Sequence, residues 1–444
     1  MPGVRAAGKA ANVSGRLNLF QSMMLRWRVL HPYNAVHVVK IQQRLDKARL
    51  ERDINDELLE LGLTGFVLER DRRRFRFEGG PAAVVLRVTS CGEYPERVLR
   101  AEMEAELNES FPSDGPMCPF RFFAVDSGES FHLGLAYDHF IAGGDSIAVV
   151  LGSIVDRHLG RGTAAAVVRP LEVYLPTLAR LFVRQSLAVL VGISRLPQMI
   201  SSCRRASRPP AAAAEDDANA FIHYRAEPGE LAAIIKVAKD WGVTLNDILL
   251  AATLLALAPL AAGRVEAPRR RELAVGSIVN IRQELLPGPD RAFGQCLASF
   301  RVSHLVPEAI TLRKLAQDVH VETDRIKRDK LYLVTLLALG LTGRLWPLLS
   351  DRHRRGFYFK HHPVWAGVTM LNVNAYWSGP RLSSPPLEYL RTAATGPLSP
   401  IVIALTTAGD MLHVGISYRR SAFSRPTMEE LASRFRLSYR SVQQ

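Results

Sequence analysis

Between Ala136 and Ser146 the chain reads AYDHFIAGGDS, and this short segment gathers the groups needed for proton-transfer chemistry. His139 is the side chain there that titrates near neutral pH, so its uncharged imidazole can accept a proton as a general base. Asp138 precedes it, and Asp145 and Ser146 follow it. Gly143 and Gly144 let the backbone turn tightly in between. Alternation over Phe131–Tyr137 (FHLGLAY) predicts a strand that delivers His139 to the turn. A helix is expected to begin near Ser146 and to continue through Ile147–His158. The plainer alternative is a histidine that caps a loop.

The rest of the chain has to build a scaffold around that turn. Asn34–Gln42, Phe66–Glu69, Ala83–Val88 and Phe120–Val125 also read as strands. Near the middle, SSCRRASRPPAAAAEDDANA (Ser201–Ala220) has a Pro-Pro pair, an alanine run and no apolar periodicity, which predicts an exposed linker. Beyond it, Pro228–Asp240 and Thr244–Leu260 read as helices, the second opened by Thr244 with Asp247 three residues on, a capping-box variant. Strands are expected at Leu273–Val279, Gly367–Asn374, Ile401–Thr407 and His413–Tyr418. Pro426–Arg436 reads as a final helix. Each half mixes strands and helices, so the predicted fold is α/β with two layered lobes: residues 1–205, a linker at 206–220, and residues 221–444.

Composition narrows the function. The 444 residues are 48% hydrophobic and 23% charged, which excludes a disordered chain, a collagen-like repeat and a disulfide-rich mini-protein. Cys91, Cys118, Cys203 and Cys296 lie far apart, without zinc-ligand or disulfide-framework spacing. No apolar core of a secretory signal is present, and Ile248–Gly263 and Leu331–Gly343 fall short of the ~18–20 residues that span a bilayer. A soluble or surface-bound cytoplasmic protein is expected.

The net charge is +14, and 48 of the 57 basic residues are arginine. The sequence has no zinc finger, RNA-recognition motif or regular interleaving of basic and aromatic residues, so nucleic acid is not an expected partner. The charge is instead local. Val173–Ala214 contains no acidic residue but six arginines (Arg180, Arg184, Arg195, Arg204, Arg205 and Arg208), and Leu331–Phe359 ends in a basic cluster. Apolar segments with spaced positive charge fit an interfacial helix with affinity for anionic lipid. Core helices with arginines at their exposed ends are the alternative.

AYDHFIAGGDS resembles the HHxxxDG motif of the CoA-dependent acyltransferase superfamily, which includes chloramphenicol acetyltransferase, the BAHD enzymes, wax ester synthases and peptide-synthetase condensation domains. The resemblance covers nearly the whole chain. GVTLNDILLAATLLAL (Gly242–Leu257) looks like the helix that opens the family's second lobe. AVGSIVNIRQEL (Ala274–Leu285) followed by Phe293-Gly294-Gln295 looks like its "pVnlR…fGN" stretch, and Leu398–Phe435 is similar to its C-terminal strand pair and helix. The resemblance implies two chloramphenicol-acetyltransferase-like lobes with an active-site channel between them. It also implies His139 as the base that takes a proton from an acceptor hydroxyl or amine, which attacks an acyl thioester directly. The donor substrate would be acyl-CoA or a phosphopantetheine thioester on an acyl-carrier protein. No bound cofactor and no metal are implied, and a two-lobed chain that builds its own site favours a monomer.

The sequence departs from the motif in two places. Asp138 stands where the family has its first histidine, and Gly143 stands where it has an aspartate; Gly144 is kept. In the family that aspartate pairs with an arginine, and Arg282 is the matching arginine here. Asp145, two residues on, is the candidate replacement after a shifted turn. The alternative is a degenerate, non-catalytic member that binds a carrier protein or lipid. His361-His362-Pro-Val-Trp-Ala-Gly367 imitates the motif more literally but precedes a strand, and His320 with Asp324 reads as an i,i+4 pair on a charged helix. Asn372, in TMLNVNAYW, matches the family's strand asparagine near the channel, with a core or loop role as the alternative.

Overall fold

Two mixed sheets carry the fold in the computed structural model, which describes residues 13–69, 73–113, 115–161, 169–170, 174–210, 216–285, 292–377, 386 and 388–440. The first sheet runs, edge to edge, Tyr389–Ala393, Asn34–Ile41, Phe131–Asp138, Phe120–Asp126 and Arg87–Ser90. Its members are antiparallel except for the last pair. The second runs Asn219–Arg225, Met411–Arg419, Ile401–Ala408, Ala366–Asn372, Leu273–Asn280 and Leu297–His304, with parallel pairing on both sides of Ala366–Asn372. Smaller sheets of four and two strands complete the described set.

Phe131–Asp138 is central in the first sheet and buried along its whole length, His132 and Gly134 included, so both of its faces are covered where alternation implied one. The helix after it, Gly144–His158, starts within two residues of the predicted position. In the second half, Leu245–Leu257 is apolar nearly all round and almost wholly buried. It packs against the sheet and against helices Leu312–Arg328 and Arg425–Arg440. Thr244 and Asp247 form the expected capping box: Asp247 N donates to Thr244 Oγ1 (3.2 Å) and Thr244 N donates to Asp247 Oδ2 (2.9 Å).

One strand ties the halves together. Tyr389–Ala393 lies late in the chain yet pairs with Asn34–Ile41, with Arg391 opposite His37. It also crosses close over the second sheet, where a Cβ at Gly415 would lie 2.2 Å from Arg391 O. Ser417 Oγ donates to Ala393 O at the same crossing.

Several local expectations changed. Ala83–Val88 is not a strand over its length: Val84 N donates to Asn55 Oδ1 (2.9 Å) and Leu86 N to Glu51 Oε2 (2.9 Å), so helix side chains take the donors that a ladder would have used. Of the span Ser201–Ala220, residues through Arg205 close the helix Leu196–Arg205, and Ala206 and Ser207 are buried. Trp365 Nε1 donates to Ser207 Oγ (2.9 Å), Asn219 opens a strand, and 211–215 lie outside the described residues. His320 and Asp324 do not pair with each other. His320 Nδ1 bonds Asp247 Oδ2 (2.7 Å), and Arg328 pairs with Asp324 (2.8 Å).

Candidate active site

His139 follows the last residue of its strand, and the turn beyond it is pinned from both halves of the chain. His139 N donates to Tyr33 O (3.1 Å), Ile141 N to Asp138 O (3.0 Å), and Gly143 N to Gly294 O (2.9 Å). Gln295 Nε2 donates to the carbonyls of His139 and Ala142, and lies 3.5 Å from His139 Nδ1. The amide thus satisfies two turn carbonyls that no ladder reaches. The imidazole is half-buried between the rings of Tyr33 and Tyr137, each with its centroid 5.7 Å away.

The two motif departures have local explanations. Asp138 is buried in an ion pair with Arg28 and does not line the cavity beside His139. Gly143 caps the helix Gly144–His158 in an extended conformation, and a Cβ there would lie 2.7 Å from Asp145 Oδ1. The carboxylate of Asp145 therefore occupies the space beside residue 143. Its Oδ1 accepts from Ser146 N (2.8 Å), and its Oδ2 accepts from Arg282 Nε (2.8 Å) and Asn280 Nδ2 (3.0 Å). Arg282 Nη2 also donates to Ser146 Oγ (2.7 Å), and the Asp145–Arg282 pair is almost fully buried. The structure brings Gly143, Asp145, Ser146 and Arg282 into one cluster, in which a strand end of the second half grips the first turn of the His139 helix.

A cavity of about 290 Å³ opens between the sheets beside His139. The first half contributes Tyr33, His37, Tyr137 and His139 to its wall; the second contributes His362, Asn372 and Arg391, among others. Arg391 was not legible as a site residue. Its strand belongs to the first sheet, yet its guanidinium reaches two strands of the second: Nε donates to Thr406 Oγ1 (3.3 Å), Nη1 to Thr369 Oγ1 (3.2 Å), and Nη2 to Thr369 O (2.9 Å) and Leu405 O (3.1 Å). All of these acceptors are uncharged, so the cation keeps its field. Gly144 makes room for it: a Cβ there would lie 3.4 Å from Arg391 Nη1 and 3.3 Å from His37 Cε1.

Burial sets the protonation of the site, and Arg391 adds to it at His139 and His37. Burial first, and then Arg391, push the His139 pKa down to about 4, against an opposing backbone contribution from Ala142. The imidazole is therefore uncharged at neutral pH. Burial and Arg391 hold His37 well below its usual value too, and its Nδ1 bonds Tyr389 Oη at 2.7 Å. His362, from the more literal motif, lines the same cavity, with its pKa pushed down to about 4 by burial and Arg301. Asn372 is exposed at its strand end, where its Oδ1 accepts from Asn374 N (3.1 Å). Among the described residues no cluster of three or more histidine, cysteine or carboxylate groups could hold a metal ion.

Solved structures share this architecture over nearly the whole chain. The first condensation domain of the calcium-dependent antibiotic synthetase superposes with a TM-score of 0.68 at 14% identity, covering 97% of this chain and 96% of that one. The chain has the condensation-domain fold. Condensation domains are among the groups that the sequence resemblance named. The epimerization domain from the third module of tyrocidine synthetase B superposes with a TM-score of 0.64 at 14% identity, covering 99% of this chain and 98% of that one. The EpoB cyclization-docking bidomain from Sorangium cellulosum gives 0.69 at 12% identity, covering 100% of this chain and 87% of that one. No protein-family model and no curated protein matches the sequence. The names of these three structures carry three different activities, so the condensation-domain fold leaves the reaction to be argued from the side chains.

Proposed function

We propose that this chain is an acyltransferase that moves an acyl group from a thioester to a hydroxyl or amine acceptor, with His139 as general base and no acyl-enzyme. The observation that carries this reading is the uncharged His139 imidazole, held at a pinned strand-to-helix turn on the wall of a cavity between the sheets. The acceptor oxygen or nitrogen bonds to the thioester carbonyl carbon while its proton passes to His139, and the carbonyl oxygen takes up the negative charge. Collapse of that tetrahedral species breaks the C–S bond, and the imidazolium returns its proton to the departing thiolate. Arg391 is the fixed cation nearest this chemistry by its effect on His139, and a buried, preoriented cation favours a developing oxyanion. The donor is a phosphopantetheine thioester on a carrier protein or the same arm on CoA, and the two sheets hold donor and acceptor at one point.

Thioester turnover with a panel of acyl-CoA and acyl-carrier-protein donors, measured for wild type and His139→Ala, tests the reading. General-base catalysis contributes typically 10²–10⁴-fold, so a loss of that order is expected. Turnover that survives the substitution overturns the assignment of His139. Carrier-protein or lipid binding with no turnover of any donor by wild type assigns the chain to a degenerate, non-catalytic role instead.

A further inference from the structure

The helix Ser186–Ser194 (SLAVLVGIS) is among the most apolar in the chain, yet Gly192 is its only buried residue. Leu187 is 74% exposed and Leu190 63%. A helix this apolar, left open to water, is what a surface meant for another phase looks like. It is nevertheless anchored: Gly192 sits against Val334 of the helix Tyr332–Leu345, where a Cβ would come within 2.1 Å of Val334 Cγ2. Leu341 and Leu345, seven and eleven residues after Val334, share its helical face and are exposed too, and Leu348 beyond them is 80% exposed. The apolar surface therefore continues from one helix to the next.

Positive charge lies across the helix Tyr332–Leu345 from this apolar face. Tyr332–Leu345 packs on Leu19–Trp27, with Gly343 against Met23 Sδ and the Arg26 guanidinium. A cavity of about 790 Å³ between them is lined by Arg16, Arg26, Arg73, Arg344 and Arg354, with no acidic residue among the described residues of its wall. Arg354 is paired with exposed Asp351 at 2.9 Å, and Arg26 donates to Gly343 O. Burial, Arg73 and Arg354 push the Arg26 pKa down, against an opposing contribution from Tyr358. The three segments that meet here, 13–45, 174–210 and 331–350, contain no aspartate or glutamate. Arg180 and Arg184 stand exposed at the end of the adjoining helix, Tyr174–Arg184.

We propose that the face formed by the exposed sides of Ser186–Ser194 and Tyr332–Leu345 docks on the surface of an anionic lipid bilayer. The protruding leucines enter the headgroup–acyl boundary, and nearby arginines bind lipid phosphates, their stems lying along apolar surface. Charge complementarity selects the occupant: acid-free segments attract an anionic leaflet, and exposed leucines spread over neighbouring helices match a fluid apolar layer. Among the described residues no single helix is long and apolar enough to cross a membrane.

Flotation of the full chain with phosphatidylcholine vesicles, with and without phosphatidylglycerol, tests this independently of any transfer activity. Wild type is expected to float with the anionic vesicles only. Binding should fall as salt rises from about 0.1 M to 1 M and the screening length shrinks from ~10 Å to ~3 Å. Arg344→Gln should weaken binding roughly fivefold, and Leu187→Glu/Leu190→Glu about tenfold or more. All three side chains are already exposed, and an unchanged thermal melt confirms that the variants fold. No flotation with anionic vesicles at low salt overturns the proposal, as does equal flotation of the leucine variant. Retention by an acidic carrier protein without vesicle flotation assigns the face to a protein and overturns it too.

Discussion

Replacing Asp145 by alanine tests whether the motif carboxylate has moved rather than vanished. The carboxylate accepts from Ser146 N, Asn280 Nδ2 and Arg282, and its ion pair with Arg282 is almost entirely shielded from water. Removing one partner of a buried pair costs about 3–5 kcal/mol, because the remaining guanidinium keeps its desolvation cost. At ~2.1 cal/mol/K per residue the whole chain unfolds with an entropy of roughly 0.9 kcal/mol/K, so the melting temperature should fall by about 3–5 °C. Gly143→Asp alone should also destabilise, since its Cβ would lie 2.7 Å from Asp145 Oδ1 and would add a like charge beside it. Combining Gly143→Asp with Asp145→Ala returns a carboxylate to the adjoining space, where it can reach Arg282. Differential scanning calorimetry of the four proteins completes a double-mutant cycle, and the double variant should lose less than the sum of the singles. Strict additivity, or an Asp145→Ala melt within about 1 °C of wild type, would refute the exchange of positions.

Acid stability follows from the buried histidines. Burial leads the causes that lower His31 to about 3, His139 and His362 to about 4, and His37 well below 6.5. Their folded pKa values lie below the unfolded value, so the unfolded chain binds more protons; stability is full above about pH 6.5 and is lost as pH falls toward 4. With up to four protons taken up on unfolding, urea titrations between those limits should show a slope approaching ~5 kcal/mol per pH unit, reduced by about a quarter in His362→Gln. A flat profile over that range contradicts the buried, neutral assignment. Arg391→Gln removes a cation that depresses the His139 pKa, so the acid limb of thioester turnover should move to higher pH. An unmoved limb would separate Arg391 from the base.

The turn and its strand were legible because alternation and a double glycine are local signals. The Asp145–Arg282 partnership was legible only as a pair of positions, since a carboxylate displaced by two residues can turn toward or away from its partner. Arg391 was invisible for a different reason. Nothing in LEYLRTAA announces that this strand pairs with Asn34–Ile41 while its arginine crosses to the second sheet. Gln295 stood within a recognised stretch, but its use depends on the chain folding back to place two turn carbonyls within its reach. The exposed helices after Val173 carried their charge pattern in sequence. Which face they leave bare follows from tertiary packing on Tyr332–Leu345.

The strand Tyr389–Ala393 also imposes a schedule. Asn34–Ile41 leaves the ribosome almost 350 residues before its edge partner, roughly 20–70 s at ~5–20 residues per second. During that interval one side of a largely buried, β-branched strand has open donors and acceptors, a template for pairing with a neighbouring chain. The first sheet is therefore begun early and is among the last to be finished. A truncation before Tyr389 should leave the nascent edge permanently open, and aggregation rather than a stable separate lobe is its expected fate.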